Sequence, residues 1–378
     1  MPELIALPGD DPVQVRDGIR RALDGGPAIG LGMLPAPGRE VPEGTAAVIA
    51  TSGSSGIPKQ VVLSAAALRA SAEATAARIG AGRWVLTLPA GYVAGLQALV
   101  RSALAGTEPV LLSGSFRPLV FADATLVHAA GADLYTSLVP AQLATLLDAA
   151  DDPVVRSALR AYRAILVGGQ SLPEAIRERA EAVGARVVRT YGSTETSGGC
   201  VYDGVPLDGV TVRQVEGELR VSGPVLADGY LGDDALTERV FVRDAHGIRW
   251  YRTGDLGLVD DGVVRVHGRA DNVIVSGGIN ISLDRVERVV RGIPGLDRAV
   301  VIGVPDERWG EACAIVAPRG AALRRTEAEQ LEQARHAVAS EVGAHARPTR
   351  LIVVDELPVL ASGKPDREQI RRAIADPR

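Results

Sequence analysis

The chain has 378 residues, 46% apolar and 23% charged, with a net charge of −5 and aromatics at only 3%. That length exceeds one compact core and implies two or three domains, cored mainly by Ala, Val and Leu. Charges of both signs are mixed along the chain, with no basic stripe, no apolar run of ~18 residues and no secretory leader in MPELIALPGDDP, which excludes nucleic acid as the main partner and excludes a membrane span.

In chain order, residues 46–50 read as a buried strand, followed at once by the loop TSGSSGIPKQ, Thr51 to Gln60. Ser64 caps a helix to about Ile79, with Gly80 as its stop. Residues 84–88 are a strand, 95–105 a helix, 109–112 a strand and 139–149 a helix. Residues 163–167 form a strand ending in GGQSLP, whose Pro173 opens a helix at its first turn. Residues 186–190 form a strand ending in YGSTE. Strand, loop and helix in turn imply α/β layers on a largely parallel sheet.

After Gly204 the texture becomes antiparallel β, with short strands at 210–213, 218–222 and 263–267 between Gly and Asp turns. A smaller α+β unit follows: helix 283–291, strands 299–304 and 313–317, helix 326–342, strand 350–354 and a last helix from Asp366. The expected organisation is therefore an α/β domain over residues 1–268, with layered sheets and a β-rich subdomain, and a small C-terminal α+β domain over 269–378. Cys200 and Cys313, the two cysteines, lack metal-ligand spacing and read as reduced thiols of a cytoplasmic protein.

The loop at 51–60 concentrates chemistry. Placed between a strand and a helix, it would turn backbone N–H groups toward an anion. Gly53 and Gly56 allow close approach, Thr51, Ser52, Ser54 and Ser55 add hydroxyls, and Lys59 adds charge. Its spacing is not that of the common phosphate loop, which needs G-x-x-x-x-G-K-[ST]. Alone it fits a hydroxyl-rich surface turn nearly as well.

It is not alone. TSGSSGIPK resembles the phosphate loop of the adenylate-forming superfamily, which contains acyl-CoA synthetases, peptide-synthetase adenylation domains and firefly luciferase; Gln60 stands where glycine is usual. Five further blocks follow in the family's order: Tyr191-Gly-Ser-Thr-Glu195; Gly217-Glu-Leu-Arg-Val-Ser-Gly223 with Gly229-Tyr230; Tyr251-Arg-Thr-Gly-Asp-Leu-Gly257; Gly268-Arg-Ala-Asp-Asn272 with Ser276-Gly-Gly278; and Ala361-Ser-Gly-Lys-Pro-Asp-Arg367.

The resemblance implies a two-step reaction in which a carboxylate attacks the α-phosphate of ATP and a thiol then attacks the acyl-adenylate. Under it, the residues of the loop, Thr51 to Gly56 and Lys59, hold the β- and γ-phosphates. Gly169, Gly192 and Ser193 line the nucleotide, and Tyr191 lies against adenine. Thr194 meets the α-phosphate, and Glu195 ligates Mg²⁺, a hard cation that bridges phosphates. Asp255 takes the ribose hydroxyls and Arg269 helps hold ribose or phosphate. Lys364 is the catalytic lysine, a fixed cation where charge develops. Asp271 is the hinge about which a mobile small domain rotates, and Gly277 and Gly278 face the CoA arm.

Only 50 residues precede the phosphate loop, and this compactness is similar to the o-succinylbenzoate–CoA ligases of menaquinone biosynthesis. Thr136-Ser-Leu-Val-Pro-Ala-Gln-Leu143 and Ser197-Gly-Gly-Cys-Val-Tyr202 carry the same likeness. Ser137, Gln142, Gly168, Gly198 and Gly199 become acid-pocket candidates. Tyr92 joins them, standing where relatives often have His. The partners implied are a small carboxylic acid, ATP and CoA, and a homodimer is a family-level expectation. The alternatives are a CoA ligase for another aryl or acyl acid, transfer to a carrier-protein thiol, and a non-catalytic nucleotide-binding protein of the same fold.

Overall fold

A computed structural model describes residues 3–32, 40–51, 58–112, 114–129, 131–319, 326–360 and 363–375. Four sheets organise them. In the first, Leu4–Leu7, Ala28–Leu31 and Thr45–Thr51 run parallel, and Lys59–Ser64 and Gly229–Tyr230 complete the sheet antiparallel. Helix Pro12–Leu23 packs beside it, its N-terminus capped by Asp11, whose Oδ1 accepts from the Val13 and Gln14 amides.

The second sheet has seven strands in the order Val205–Pro206, Gly198–Tyr202, Val187–Ser193, Tyr162–Val167, Leu134–Leu138, Arg83–Leu86, Val110–Leu111. Its Val187–Ser193 to Val110–Leu111 portion is parallel, as the alternating pattern predicts. The turn after Ser193 sends the chain back antiparallel through Gly198–Tyr202. Helix Ala65–Ile79 has Ser64 as its cap and Gly80 as its stop, as expected.

Three expectations need correction. Thr51–Gln60 does not join a strand to a helix: Thr51 pairs with Lys59 and Ala50 with Gln60 in an antiparallel hairpin. Ser52, Gly53, Ser54, Ser55 and Gly56 lie outside the described residues. Lys59 is therefore the first residue of a strand, and no helix dipole stands behind it. Tyr191 to Ser193 belong to a strand rather than to the loop after it. Pro173 is the cap of helix Glu174–Ala182, not its first turn.

The third sheet is antiparallel, with Thr211–Val215, Glu218–Ser222, Arg249–Asp260 and Phe241–Arg243 in order and Val263–Arg269 on Arg249–Asp260. The fourth begins at Val273. Its strands Ile279–Ser282, Val273–Ser276, Gly310–Pro318 and Val300–Asp306 are antiparallel, and Arg350–Val354 joins Gly310–Pro318 in parallel. The apolar clusters around this sheet, from Ile274 to Ile374, share no residue with those of the first three sheets. Two units with separate cores thus meet across a polar seam. No helix among the described residues is long and apolar enough to cross a membrane.

Candidate active site

A cavity of about 670 Å³ opens at the seam. Its walls bring together Thr51, Lys59, Tyr92, Ser137, Gly168, Gly169, Gly192, Ser193, Thr194, Glu195, Gly198, Gly199, Arg269, Asp271 and Lys364 from the sequence-derived candidates. Residues more than 300 positions apart therefore converge on one space, as a shared ligand would require.

Glu195 sits in a one-turn 3-10 helix, Thr194–Thr196, with 9% of its surface exposed. Its Oε1 accepts a 3.0 Å hydrogen bond from the Tyr230 hydroxyl, and Lys59 Nζ lies 5.9 Å from the centre of the Tyr230 ring. Burial first, and the Glu195 charge second, push the Tyr230 phenol well above its ordinary pKa, so it stays a donor. The Glu195 carboxylate lines the cavity and offers a hard oxygen to a cation. No cluster of three or more ligating side chains exists among the described residues. A hard cation here would complete its shell with substrate oxygens and water, which is the chemistry Mg²⁺ favours.

Asp255 does not line the cavity surface but lies directly behind it. Its Oδ2 accepts a 2.6 Å bond from the Tyr191 hydroxyl, and its Oδ1 lies 3.5 Å from Arg269 Nη1. Burial raises its pKa above the ordinary carboxylate value, while Tyr191 and Arg269 act against that rise. Tyr191 thus uses its hydroxyl on Asp255, joining two sequence blocks 64 residues apart. Glu218, of the GEL block, accepts from the Gly254 amide at 3.2 Å and from Arg252 at 3.1 Å. It fixes the turn that carries Asp255.

Arg269 forms a two-pronged pair with Asp271, 2.9 Å at each nitrogen, which holds the Asp271 carboxyl below its usual range. Its backbone amide donates 2.7 Å to Asp284, which also accepts from Asn272 Nδ2. The chain between the two units is therefore clasped at both ends. Gly277 and Gly278 lie outside the cavity. They form the turn between strands Val273–Ser276 and Ile279–Ser282, at φ of 56° and 81°, and Gly277 lies against Trp309.

Lys364 enters from the small unit. The bridge Val359 to Pro365 closes the tip that presents it, and Leu360 donates to the Lys364 carbonyl. Lys364 is exposed overall, while its side chain lines the cavity between the two units. Burial lowers its pKa, and the Asp255 and Glu195 charges pull the other way. A Cβ at Gly169, whose φ is 81°, would stand 3.3 Å from Lys364 Cε, so glycine there leaves room for the lysine.

Gln142 is corrected as a pocket residue. It does not line the cavity: its Oε1 caps the Val139 amide at 3.1 Å and its Nε2 donates to Thr87. The residues that sequence reasoning missed lie at the deep end, on helix Val93–Leu104. Gln97 and Arg101 face the cavity one turn apart, and Arg101 is only 7% exposed. Its guanidinium stacks over Trp84 at 4.8 Å and reaches the Tyr202 hydroxyl at a long 3.4 Å, with no carboxylate partner among the described residues. Arg101 Nε, Gln97 Oε1 and Ser197 Oγ are all buried without a hydrogen bond. Buried polar atoms are normally satisfied, so three orphans together make this a polar corner that its own protein partners leave incomplete. Burial pulls the Arg101 pKa below its ordinary value, but a guanidinium stays charged at any working pH. The available sequence clue was a Gln and an Arg at i, i+4 in a mostly apolar helix.

Comparison with known proteins fits this geometry. Residues 10–214 match the model of the AMP-binding enzyme family, and residues 285–364 match its C-terminal domain. A probable 2-succinylbenzoate–CoA ligase of Mycobacterium tuberculosis is 40% identical over 347 residues, covering 89% of this chain and 87% of the relative. The 2-succinylbenzoate–CoA ligase of Bacillus cereus is 31% identical over 360 residues, covering 87% and 70%. Among solved structures, o-succinylbenzoate CoA synthetase from Bacillus subtilis, in complex with the acyl-adenylate intermediate OSB-AMP, superposes with a TM-score of 0.71 at 28% identity, covering 88% of this chain and 69% of that one. ATP-bound MatB from Rhodopseudomonas palustris shares the fold, with a TM-score of 0.74 at 24% identity over 91% of this chain and 71% of its own. On these matches, the chain belongs to the AMP-binding enzyme family.

Proposed function

We propose that the protein is an ATP-dependent acid–CoA ligase that works through an acyl-adenylate, with 2-succinylbenzoate as its acid. The observation that carries the choice of acid is Arg101. The deep end of the cavity holds a buried guanidinium lacking an anion, while the mouth holds Lys364. An acid with two carboxylates fits both ends, one at the reacting centre and one on Arg101. The names of the relatives support the same acid.

In the first step a carboxylate oxygen of the acid attacks the α-phosphorus and pyrophosphate leaves. Lys364 and Thr194 stabilise the charge on the α-phosphate, and Lys59 with residues 51–56 holds the β- and γ-phosphates. Gly169, Gly192 and Ser193 line the nucleotide, Tyr191 braces Asp255, and Asp255 and Arg269 hold the ribose. Glu195 would hold Mg²⁺, which when bound neutralises phosphate charge. Ser137, Gly168, Gly198, Gly199 and Tyr92 shape the acid's walls. In the second step the CoA sulfur attacks the acyl carbon and AMP leaves. Residues 269–378, turning about Asp271, would withdraw Lys364 and bring Gly277 and Gly278 toward the CoA arm.

The test is AMP and thioester production from ATP, Mg²⁺, CoA and a panel of carboxylic acids. Selective conversion of 2-succinylbenzoate to its CoA thioester is the expected result. Turnover of a different acid would keep the mechanism and discard the substrate. AMP without CoA thioester would point to another acceptor, and no AMP with any acid would leave a non-catalytic nucleotide-binding protein.

A further inference from the structure

Polar contacts join the two units, among them Arg288 Nη2, which donates to the Val266 and His267 carbonyls at 2.8 and 3.0 Å beside the connecting chain. Helix Pro140–Asp148 spans the docking face of the large unit. At its start, Val139 Cγ2 would lie 3.1 Å from a Cβ on Gly363, next to Lys364. At its end stands Asp148. Asp148 Oδ1 accepts a 2.8 Å bond from Arg179 of the same unit, and Oδ2 is ion-paired with Arg298 of the small unit. Arg179 therefore fixes the carboxylate in advance, so Arg298 meets an oriented acceptor. A second cross-seam contact lies beside the cavity: Arg291 Nη2 is 3.5 Å from Gln170 Oε1. Gln170 follows Gly169, the residue against Lys364. Arg291 is itself anchored, with Nη2 on Glu287 at 2.9 Å and Nε on the Ala299 carbonyl at 2.7 Å.

The geometry points to a polar latch, Asp148 with Arg298 and Gln170 with Arg291, that holds the small unit where Lys364 reaches the cavity. These are positioning residues, since none of them lines the cavity. Separate cores joined by a polar seam move relative to one another by default, so some contact must select this orientation. A greasy seam would hold the lysine permanently, whereas a half-exposed charge network is strong enough to bias a pose and weak enough to release it. Asp148 and Arg298 are 49% and 41% exposed. An isolated pair so exposed shifts an equilibrium by about two- to fivefold, and a network that is oriented in advance sits at the upper end.

The inference rests on the two-step reading, and its test separates the two. The full chain and the variants Asp148→Asn, Arg298→Gln, their double variant and Arg298→Glu are assayed for adenylate formation by pyrophosphate release with 2-succinylbenzoate. Thioester formation is measured from synthetic 2-succinylbenzoyl-adenylate and CoA. Adenylate formation should fall about two- to fivefold in each neutral variant, with the double no worse than either single, and more in Arg298→Glu. The thioester step should be unchanged or faster. Equal loss in both half-reactions would overturn the latch.

A second readout needs no turnover. The chain has two lysines, Lys59 and Lys364. The pH dependence of amine labelling, followed by mass spectrometry, reports each separately. In Arg298→Glu the Lys364 profile should move up toward an ordinary lysine while that of Lys59 stays put. An unmoved Lys364 profile would also overturn the latch. Wild-type protein that forms no adenylate with any acid would sink the functional reading, and the labelling would still decide the latch.

Discussion

Replacing Arg101 by Met removes the charge at the deep end of the cavity and keeps the apolar stem. Arg101 is 7% exposed, and its one polar contact among the described residues is 3.4 Å to the Tyr202 hydroxyl, with Nε unpaired. Without ligand, the protein holds a desolvated cation that nothing neutralises, and such a charge is a net cost to folding. A flexible thioether of similar length can fill the space over Trp84. The melting temperature of Arg101→Met should therefore stay level or rise.

Binding should respond oppositely. Truncating one partner of a buried, hydrogen-bonded charge pair costs about 2–5 kcal/mol. At about 1.4 kcal/mol per tenfold, kcat/KM for 2-succinylbenzoate should fall roughly 30- to 3,000-fold. An analogue lacking the ring carboxylate offers Arg101 no anion, so its kcat/KM should barely change, and Arg101→Met should narrow the gap between the two acids. The assay is steady-state pyrophosphate release with both acids on both proteins. Equal loss on both acids, together with a lower melting temperature, would refute the reasoning and make Arg101 a strut between Trp84 and Tyr202.

Four further outcomes follow. Lys364→Ala should lower adenylate formation about 10²–10³-fold while sparing thioester formation from preformed adenylate, read as two separate half-reactions. Because burial lowers the Lys364 pKa, its cation is lost as pH rises through a value below the ordinary 10.5, so adenylate formation should fall on that alkaline limb; in Lys364→Arg, which stays charged, the limb should vanish from the pH–rate profile. Because burial raises the Asp255 pKa above 3.8, activity should appear as pH rises through a value above 3.8, and Asp255→Asn should erase that acid limb along with most nucleotide affinity, measured by calorimetry. Gly192→Ala would put a Cβ 2.1 Å from the Gly198 carbonyl oxygen and 2.8 Å from Gly199 Cα, both backbone, so stability should drop by about 1–3 kcal/mol in chemical denaturation with loss of activity.

The six blocks were legible because each is a short run whose residue types state their chemistry. What joined them was not. The Tyr191 to Asp255 bond and the Glu218 clasp on Gly254 link residues tens of positions apart, and only the packed sheets bring them together. The loop at 51–60 was read as strand-to-helix because glycines and hydroxyls look alike before either element. The β-branched Val61 and Val62 just beyond it were the sign of a returning strand. Gln142 read as a pocket group because a capping amide and a substrate amide have the same formula. Its neighbour Val139 cannot cap its own helix, which is why Gln142 turns back to do so. Arg101 lies in the stretch read only as a helix over 95–105, where a buried charge is visible only once the cavity beside it is.

The division between arginine and lysine follows the same logic of fixed and changing charge. Of the 41 lysines and arginines, only Lys59 and Lys364 are lysines, and both line the cavity. Arginine's planar fork suits places where two acceptors stay put. Arg269 grips Asp271 with two nitrogens, and Arg367 bridges the Val301 carbonyl and Glu287. Each of these sets a shape. Phosphate charge, by contrast, moves from the α-phosphate to the departing pyrophosphate during the reaction. A compact ammonium with rotatable donors can follow that shift without a planar group having to turn in a narrow space. Lys364 passes Gly169 at a distance that leaves no room even for a methyl group without adjustment. Glycine at 169 is what keeps that passage open for the lysine stem.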